Sequence, residues 1–239
     1  MGFTVSCCAD LDGCACSIVT GAVMSLVNRW VEPEWAKEYL EKRDSIPHRA
    51  EGHAALLELL DGDVHRVLDL GTGDGFTLGR VLAAYPDAVG VGADFSAEML
   101  ERARATFGAD PRVEIIEHDL DRPLPESLGS FDLIVSSFAI HHCVPERQRA
   151  LYGEVFAHLD PGGRFVNLEH VASSTPALHQ QFLDAIGAEE DPSNKLVAVG
   201  VQLGWLGDIG FADVDCFWKW RELALLSGRR PAESANLTS

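Results

Sequence analysis

Basic residues are scarce. Nineteen Lys and Arg stand against 37 Asp and Glu, a formal charge of −18 at pH 7 over 239 residues. Affinity for nucleic acid comes largely from Lys and Arg neutralising phosphates, so this balance argues against a nucleic-acid partner and for a small molecule. Long apolar runs are missing too. The nearest, residues 17–27, is broken by Thr20, Gly21 and Ser25 and falls short of the roughly 20 residues a membrane span requires. No Lys or Arg precedes Arg29, so the basic region that opens a secretory signal is not seen. The expected location is cytoplasmic, with no membrane attachment. Nor do the six cysteines form a framework. Cys7, Cys8, Cys14 and Cys16 crowd together, while Cys143 and Cys216 lie far off. That is not the even spread of a disulfide scaffold, and C-C-x5-C-x-C lacks the paired C-x2-C spacing of zinc sites. Residues 1–26 read as a disordered Cys-rich extension, and Cys143 and Cys216 as small core or near-core residues.

What is present is an alternation of helical and strand patterns. Residues 34–42 and 49–60 read as helices, the second with Leu56, Leu57, Leu59 and Leu60 as its apolar face. Together 27–62 form an expected N-terminal helical cap. Strands are expected at 67–70, 88–93, 112–117, 131–138 and 164–169, with helices at 76–84, 97–107, 145–159 and 176–186 between and after them. Ser96 is a good N-cap and Pro145 suits a first helical turn. Asp160-Pro161-Gly162-Gly163 reads as a turn. A further helix is expected from about residue 193, carrying Leu196, Val199, Leu203 and Leu206. Strands at 213–220 and 223–226 follow, joined by Arg221-Glu222. Strand–helix alternation implies an α/β fold with a mostly parallel sheet covered on both faces. The last two strands have no room for a crossover and must pair antiparallel. The expected organisation is a ligand-binding domain over 63–230 and a tail over 231–239.

The strongest chemical signal is Val67-Leu68-Asp69-Leu70-Gly71-Thr72-Gly73-Asp74-Gly75, a strand running into three alternating glycines and then a helix. Glycine permits the sharp turn and lets a ligand approach bare amides. The dinucleotide fingerprint needs its third glycine three residues after the second; here that position, 76, is Phe, and Asp74 adds negative charge where a pyrophosphate would sit. Both facts count against NAD(P). A ligand carrying an ammonium group tolerates the acidity better. Asp94 ends the second strand, 19 residues past Gly75, where an acid can hydrogen-bond ribose hydroxyls. Asp119 ends the third, where a carboxylate can accept from an exocyclic amino group. Any one of these is compatible with a turn or cap residue. In register with the glycines, the three converge on the cleft where α/β sheets bind ligands.

In these residues the stretch from about 64 to 171 resembles a class I S-adenosylmethionine (SAM)-dependent methyltransferase. Val67 to Gly75 is similar to that family's first motif, Asp94 to its ribose acid and Asp119 to its adenine-contacting position. Residues 131–137 and 159–163 resemble its fourth-strand motif and the turn before strand five. The resemblance implies a Rossmann-like seven-stranded sheet of order 3-2-1-4-5-7-6 with one antiparallel strand near its end. It places Gly71, Thr72 and Gly73 against the methionine part of SAM, with Asp69 and Ser136 in the same cofactor-binding set. Asp94 and Phe95 would hold ribose and flank adenine, with Met99 near, and Asp119 and Leu120 would meet the adenine edge. Ser45-Ile46-Pro47-His48-Arg49 also resembles small-molecule members of this superfamily. Arg49 can clamp the SAM carboxylate bidentately, or be a surface helix arginine.

The methyl acceptor is expected beyond the fourth strand, near Ser136, Ser137, Phe138, His141 and His142. One of the two histidines is a candidate general base; adjacent side chains diverge, so at most one serves, and the other caps or orients. No metal is expected. Trp218 and Trp220 share one face of their strand and Lys219 and Arg221 the other, either as an aromatic wall with a cationic rim or as tryptophans packed under a helix. The chain lacks the Asn/Asp-Pro-Pro-aromatic signature of amino-directed DNA and glutamine methyltransferases. The reading is methyl transfer to a small-molecule oxygen, nitrogen or carbon nucleophile. Two alternatives remain open: an enzyme on a SAM analogue related to transfer-RNA wobble-uridine modification, and a non-catalytic SAM-binding subunit. A homodimer is compatible with all three.

Overall fold

A computed structural model describes residues 45–232. The expected helix at 34–42, the Cys-rich extension and most of the tail lie outside the described residues. Seven strands form one sheet: β1 (Arg66–Leu70), β2 (Val89–Asp94), β3 (Val113–Glu117), β4 (Phe131–Ser137), β5 (Leu159–His170), β6 (Ala212–Trp220) and β7 (Leu223–Arg229). Their order is β3-β2-β1-β4-β5-β7-β6, as the resemblance implied. The first five are parallel, and β7 runs antiparallel to both β5 and β6. The helices are α1 (Arg49–Leu59), α2 (Phe76–Ala84), α3 (Ala97–Phe107), α4 (Pro145–His158), α5 (Pro176–Ile186) and α6 (Val199–Ile209). None of them is long and apolar enough to cross a membrane.

Period-two alternation sends neighbouring strand residues to opposite faces. Leu68 and Leu70 of β1 join Leu151, Tyr152 and Val155 of α4 and Leu206 of α6 in one core. Val67 joins Leu56 of α1 and Leu78, Val81 and Leu82 of α2 in the other. A sheet covered on both faces explains why its strands read as continuous apolar runs. Pro145 occupies the first turn of α4 as expected. Ser96 precedes α3, but its side chain makes no capping bond; the Asp94 carboxylate accepts from its backbone amide instead (2.9 Å).

Three expectations need correction. First, β5 starts at Leu159, not Arg164. The ladder with β4 jumps from Phe131↔Leu159 to Leu133↔Arg164, so the Asp-Pro-Gly-Gly sequence is a bulge within a strand. Second, α6 starts at Val199 rather than near 193. Backbone donors before it are taken elsewhere: Lys195 N bonds the distant His141 carbonyl (2.7 Å), and Asn194 N closes a local turn onto the Asp191 carbonyl (3.1 Å). Third, the packed face of α1 is not leucine alone: Leu56 enters the core and Leu57, Leu59 and Leu60 pack partly buried against it as expected, but polar and small residues share the buried face. Its buried residues are Arg49, Gly52, His53 and Leu56, which is helical spacing carried by polar and small side chains. Gly52 permits the contact: a Cβ there would lie 3.0 Å from both Leu168 and Trp218.

Candidate functional site

The loop after β1 is folded by its glycines. Gly71, Gly73 and Gly75 have φ of 68°, 56° and 83°, a region L side chains rarely enter. The amides of Gly71 and Thr72 both donate to the Ala93 carbonyl (2.8 and 3.0 Å), which draws the loop against the end of β2. Below it lies Asp69. Its Oδ2 accepts from the Thr72 hydroxyl (2.8 Å) and the Leu78 amide (3.2 Å). Burial pushes its carboxyl up to about 7, opposed by those two bonds and helped by the charges of Asp94 and Asp74. Asp69 therefore organises the loop from beneath and is not on the cleft wall.

A cleft of about 850 Å³ opens at the carboxyl ends of β1 to β4, the usual ligand position in this sheet class. Gly71, Thr72 and Gly73 form one part of its wall, Asp94, Phe95 and Met99 a second, and Asp119 and Leu120 a third. Asp94 accepts from the Gly73 amide through Oδ2 (2.9 Å) and from Ser96 through Oδ1; its burial raises its pKa. Arg49 reaches the wall from α1, its guanidinium 4.3 Å over the Phe138 ring. It is a buried residue, not a surface arginine.

The histidine pair divides. His142 is on the wall; burial, with His141 beside it, lowers its pKa to about 3. His141 stands behind, ring to ring at 4.1 Å, its Nδ1 2.5 Å from Glu169 Oε1. Burial holds His141 well below the ordinary histidine range and pushes Glu169 up to about 7. Ser136 is off the wall: fully buried, it donates to the Leu70 carbonyl (2.8 Å) and ties β4 to β1. Trp218 and Trp220 are off it too. Trp218 packs under Gly52 of α1, and Trp220 lies 4.5 Å from His48 and 6.1 Å from Phe182.

Sequence reasoning missed several wall residues: Phe76 and Thr77 in the first turn of α2, His118, Asp121, and Cys143, which is nearly buried yet borders the cleft. It also missed His53. The Arg49 carbonyl accepts from His53 Nδ1 (3.0 Å), which leaves Nε2 to accept from the Ser137 hydroxyl (3.1 Å). The i, i+4 spacing of Arg49 and His53 was the available signal.

Residues 67–163 match the methyltransferase domain family. The uncharacterized methyltransferase YcgJ of Bacillus subtilis is 33% identical over 132 residues, covering 54% of this chain and 50% of that protein. The ubiquinone/menaquinone biosynthesis C-methyltransferase UbiE of Syntrophotalea carbinolica is 35% identical over 126 residues, 52% of each protein. The chain thus spans about half the length of these relatives. Among solved structures, an O-methyltransferase family protein from Burkholderia thailandensis superposes with a TM-score of 0.68 at 22% identity, over 86% of this chain and 62% of that one. Residues 67–163 are a class I SAM-dependent methyltransferase domain, and the sheet around them has that fold.

Proposed function

We propose that the chain transfers a methyl group from SAM to a small-molecule acceptor. The observation that carries this is the convergence of the glycine loop, Asp94 and Asp119 on one cleft. The donor set fits the cofactor. Among the described residues, Asp74, Asp94, Asp119 and Asp121 face the cleft with one guanidinium, Arg49, which suits a ligand bearing cationic centres, a diol and a single carboxylate. In this reading Gly71, Thr72 and Gly73 receive the methionine part and Arg49 its carboxylate. Asp94 accepts from the ribose hydroxyls, Phe95 and Met99 flank adenine, and Asp119 and Leu120 meet its edge. Bound SAM supplies an electrophilic methyl on a sulfonium. The chain's own contribution is alignment and exclusion of water. His142, uncharged at neutral pH, adds no cation against a sulfonium. It is the histidine that can contact the acceptor, but a pKa pushed down to about 3 makes it a weak base, so in this reading it orients the acceptor by hydrogen bonding. His141, held by Glu169, fixes the loop behind it.

Calorimetric titration of the purified chain tests the reading. SAM is expected to bind in the micromolar range and NAD not at all. Asp94→Asn should weaken SAM binding about tenfold to a hundredfold, the loss of charge-assisted hydrogen bonds. Absence of SAM binding, or affinity indifferent to Asp94, would overturn it.

A further inference from the structure

Among the described residues, no strand pairs with the segment after β3. Residues 118–124 leave the sheet once the His118 amide has bonded the Asp94 carbonyl (2.8 Å), and they turn at Asp119, whose carbonyl accepts from Arg122 N (2.9 Å). Asp119, Leu120 and Asp121 face the cleft from this turn. Its opposite side presents two backbone carbonyls and an amide to α4. Arg147 donates through Nε to the Leu120 carbonyl (2.6 Å) and through Nη2 to the Arg122 carbonyl (2.7 Å). The same guanidinium holds both Glu154 oxygens (2.5 and 2.8 Å), and Glu154 Oε2 accepts from the Leu124 amide (2.9 Å). Arg147 and Glu154 are two helical turns apart, on one face of α4. Their side chains are only 12% and 24% exposed, and neither is on the cleft wall.

We infer that the Arg147–Glu154 pair is a positioning device that sets how selectively the cleft recognises the adenine edge of its ligand. The inference rests on the reading of the cleft as a SAM site. A guanidinium is planar and rigid, so donors on its two edges hold the Leu120 and Arg122 carbonyls at a set separation. That separation sets the path of the backbone between them and the placement of Asp119 and Leu120 just before it. A lysine keeps the charge opposite Glu154 but is a point donor and cannot span both carbonyls. The protonation states agree: donating hydrogen bonds to Glu154 raises the Arg147 pKa. Glu154 is lowered despite its burial because Arg147 and the Leu124 amide bond it.

The test compares two ligands of the full chain by calorimetry: S-adenosylhomocysteine, and its counterpart with hypoxanthine in place of adenine. The second presents an oxygen acceptor where adenine has an amino donor, so an Asp119 carboxylate placed at the base edge disfavours it. The wild type is expected to prefer the adenine ligand. Arg147→Lys should cut that preference about tenfold, the worth of one well-set hydrogen bond. A merely structural pair would weaken both ligands equally, and an unchanged ratio in folded Arg147→Lys overturns the inference. Should Arg147→Lys fail to fold, the double variant Arg147→Met with Glu154→Met leaves no buried charge unpaired and is read by the same ratio. If the wild type binds neither ligand, it is the SAM reading that fails.

Discussion

At Gly71 one hydrogen atom separates a working loop from a broken one. A Cβ on its backbone would stand 2.2 Å from the Ala139 Cβ, and its φ of 68° already disfavours any side chain. Gly71→Ala is expected to destabilise the chain by about 3 kcal/mol or more, from overpacking and left-handed strain together. Gly204 is the contrast, an exposed glycine inside α6 with nothing within 4 Å of a built Cβ. Gly204→Ala should stabilise by about 0.5–1 kcal/mol through helix propensity alone. Urea denaturation of both variants checks the pair, and equal midpoint shifts would contradict it. The alternation of glycines made the loop legible in the sequence, because glycine at such spacing reports left-handed backbone directly. The histidine pair was only half legible. Adjacency predicts diverging rings, yet the two lie ring to ring at 4.1 Å; only one lines the cleft, and which one depends on Glu169, 28 positions away, taking the His141 ring. The same limit applies to Asp69 and Ser136. Their residue types suit a site, but burial turns Asp69 under the loop and Ser136 onto the Leu70 carbonyl.

Among the elements, α5 is held by a titratable clasp. His179 places Nδ1 2.9 Å from Glu222 Oε1 on the β6–β7 hairpin and Nε2 2.5 Å from Glu190 Oε2 on the following loop. Carboxylates only accept, so both contacts require the doubly protonated imidazolium. The other Glu222 oxygen faces His170 on β5 (2.9 Å). Bonding to Glu190 raises the His179 pKa, and a raised histidine stabilises fully below its unfolded pKa of about 6.5 and loses that contribution as pH climbs through the folded value. The loop that Glu190 opens also carries Ser193, whose hydroxyl lies 3.3 Å from His142 on the cleft wall. Amide exchange in α5, corrected for its intrinsic pH dependence, should therefore be about threefold to tenfold faster at pH 8.5 than at pH 6.5. His179→Gln should show the fast rate at both; protection in the wild type that ignores pH would remove the clasp. Propensity and spacing revealed the bounds of α5 and the reversal of β7, since both follow from local pattern. The late start of α6 did not show, because the His141 carbonyl that holds the Lys195 amide before it comes from another part of the chain.

For the whole molecule, titrating groups of opposite sense set where stability peaks. Burial raises Asp94 and carries Asp69 and Glu169 to about 7. The unfolded chain gives up these protons first, so stability falls as pH climbs from about 4 towards 7. Burial lowers His118, His141 and His142. Here the unfolded chain takes up protons first, so stability falls as pH drops below about 6.5. Between about pH 5 and 6.5 the two sets oppose each other. Above 6.5 the three lowered histidines are silent, while the last ionisation of Asp69 and Glu169 and the loss of the His179 proton act in one direction. The net charge of −18 adds self-repulsion of the compact state, a contribution that salt screens. The urea midpoint should therefore be nearly level from pH 5 to 6.5 and decline from 6.5 to 8. Asp69→Asn keeps an oxygen for Thr72 and Leu78 but cannot ionise, and should shallow that decline. Added salt should recover only the part due to repulsion, because a carboxylate beneath the glycine loop is shielded from ions in solution. A midpoint rising between pH 6.5 and 8 would mean that Asp69 and Glu169 are ionised in the folded chain at neutral pH, each held by a stronger partner than the bonds around it provide.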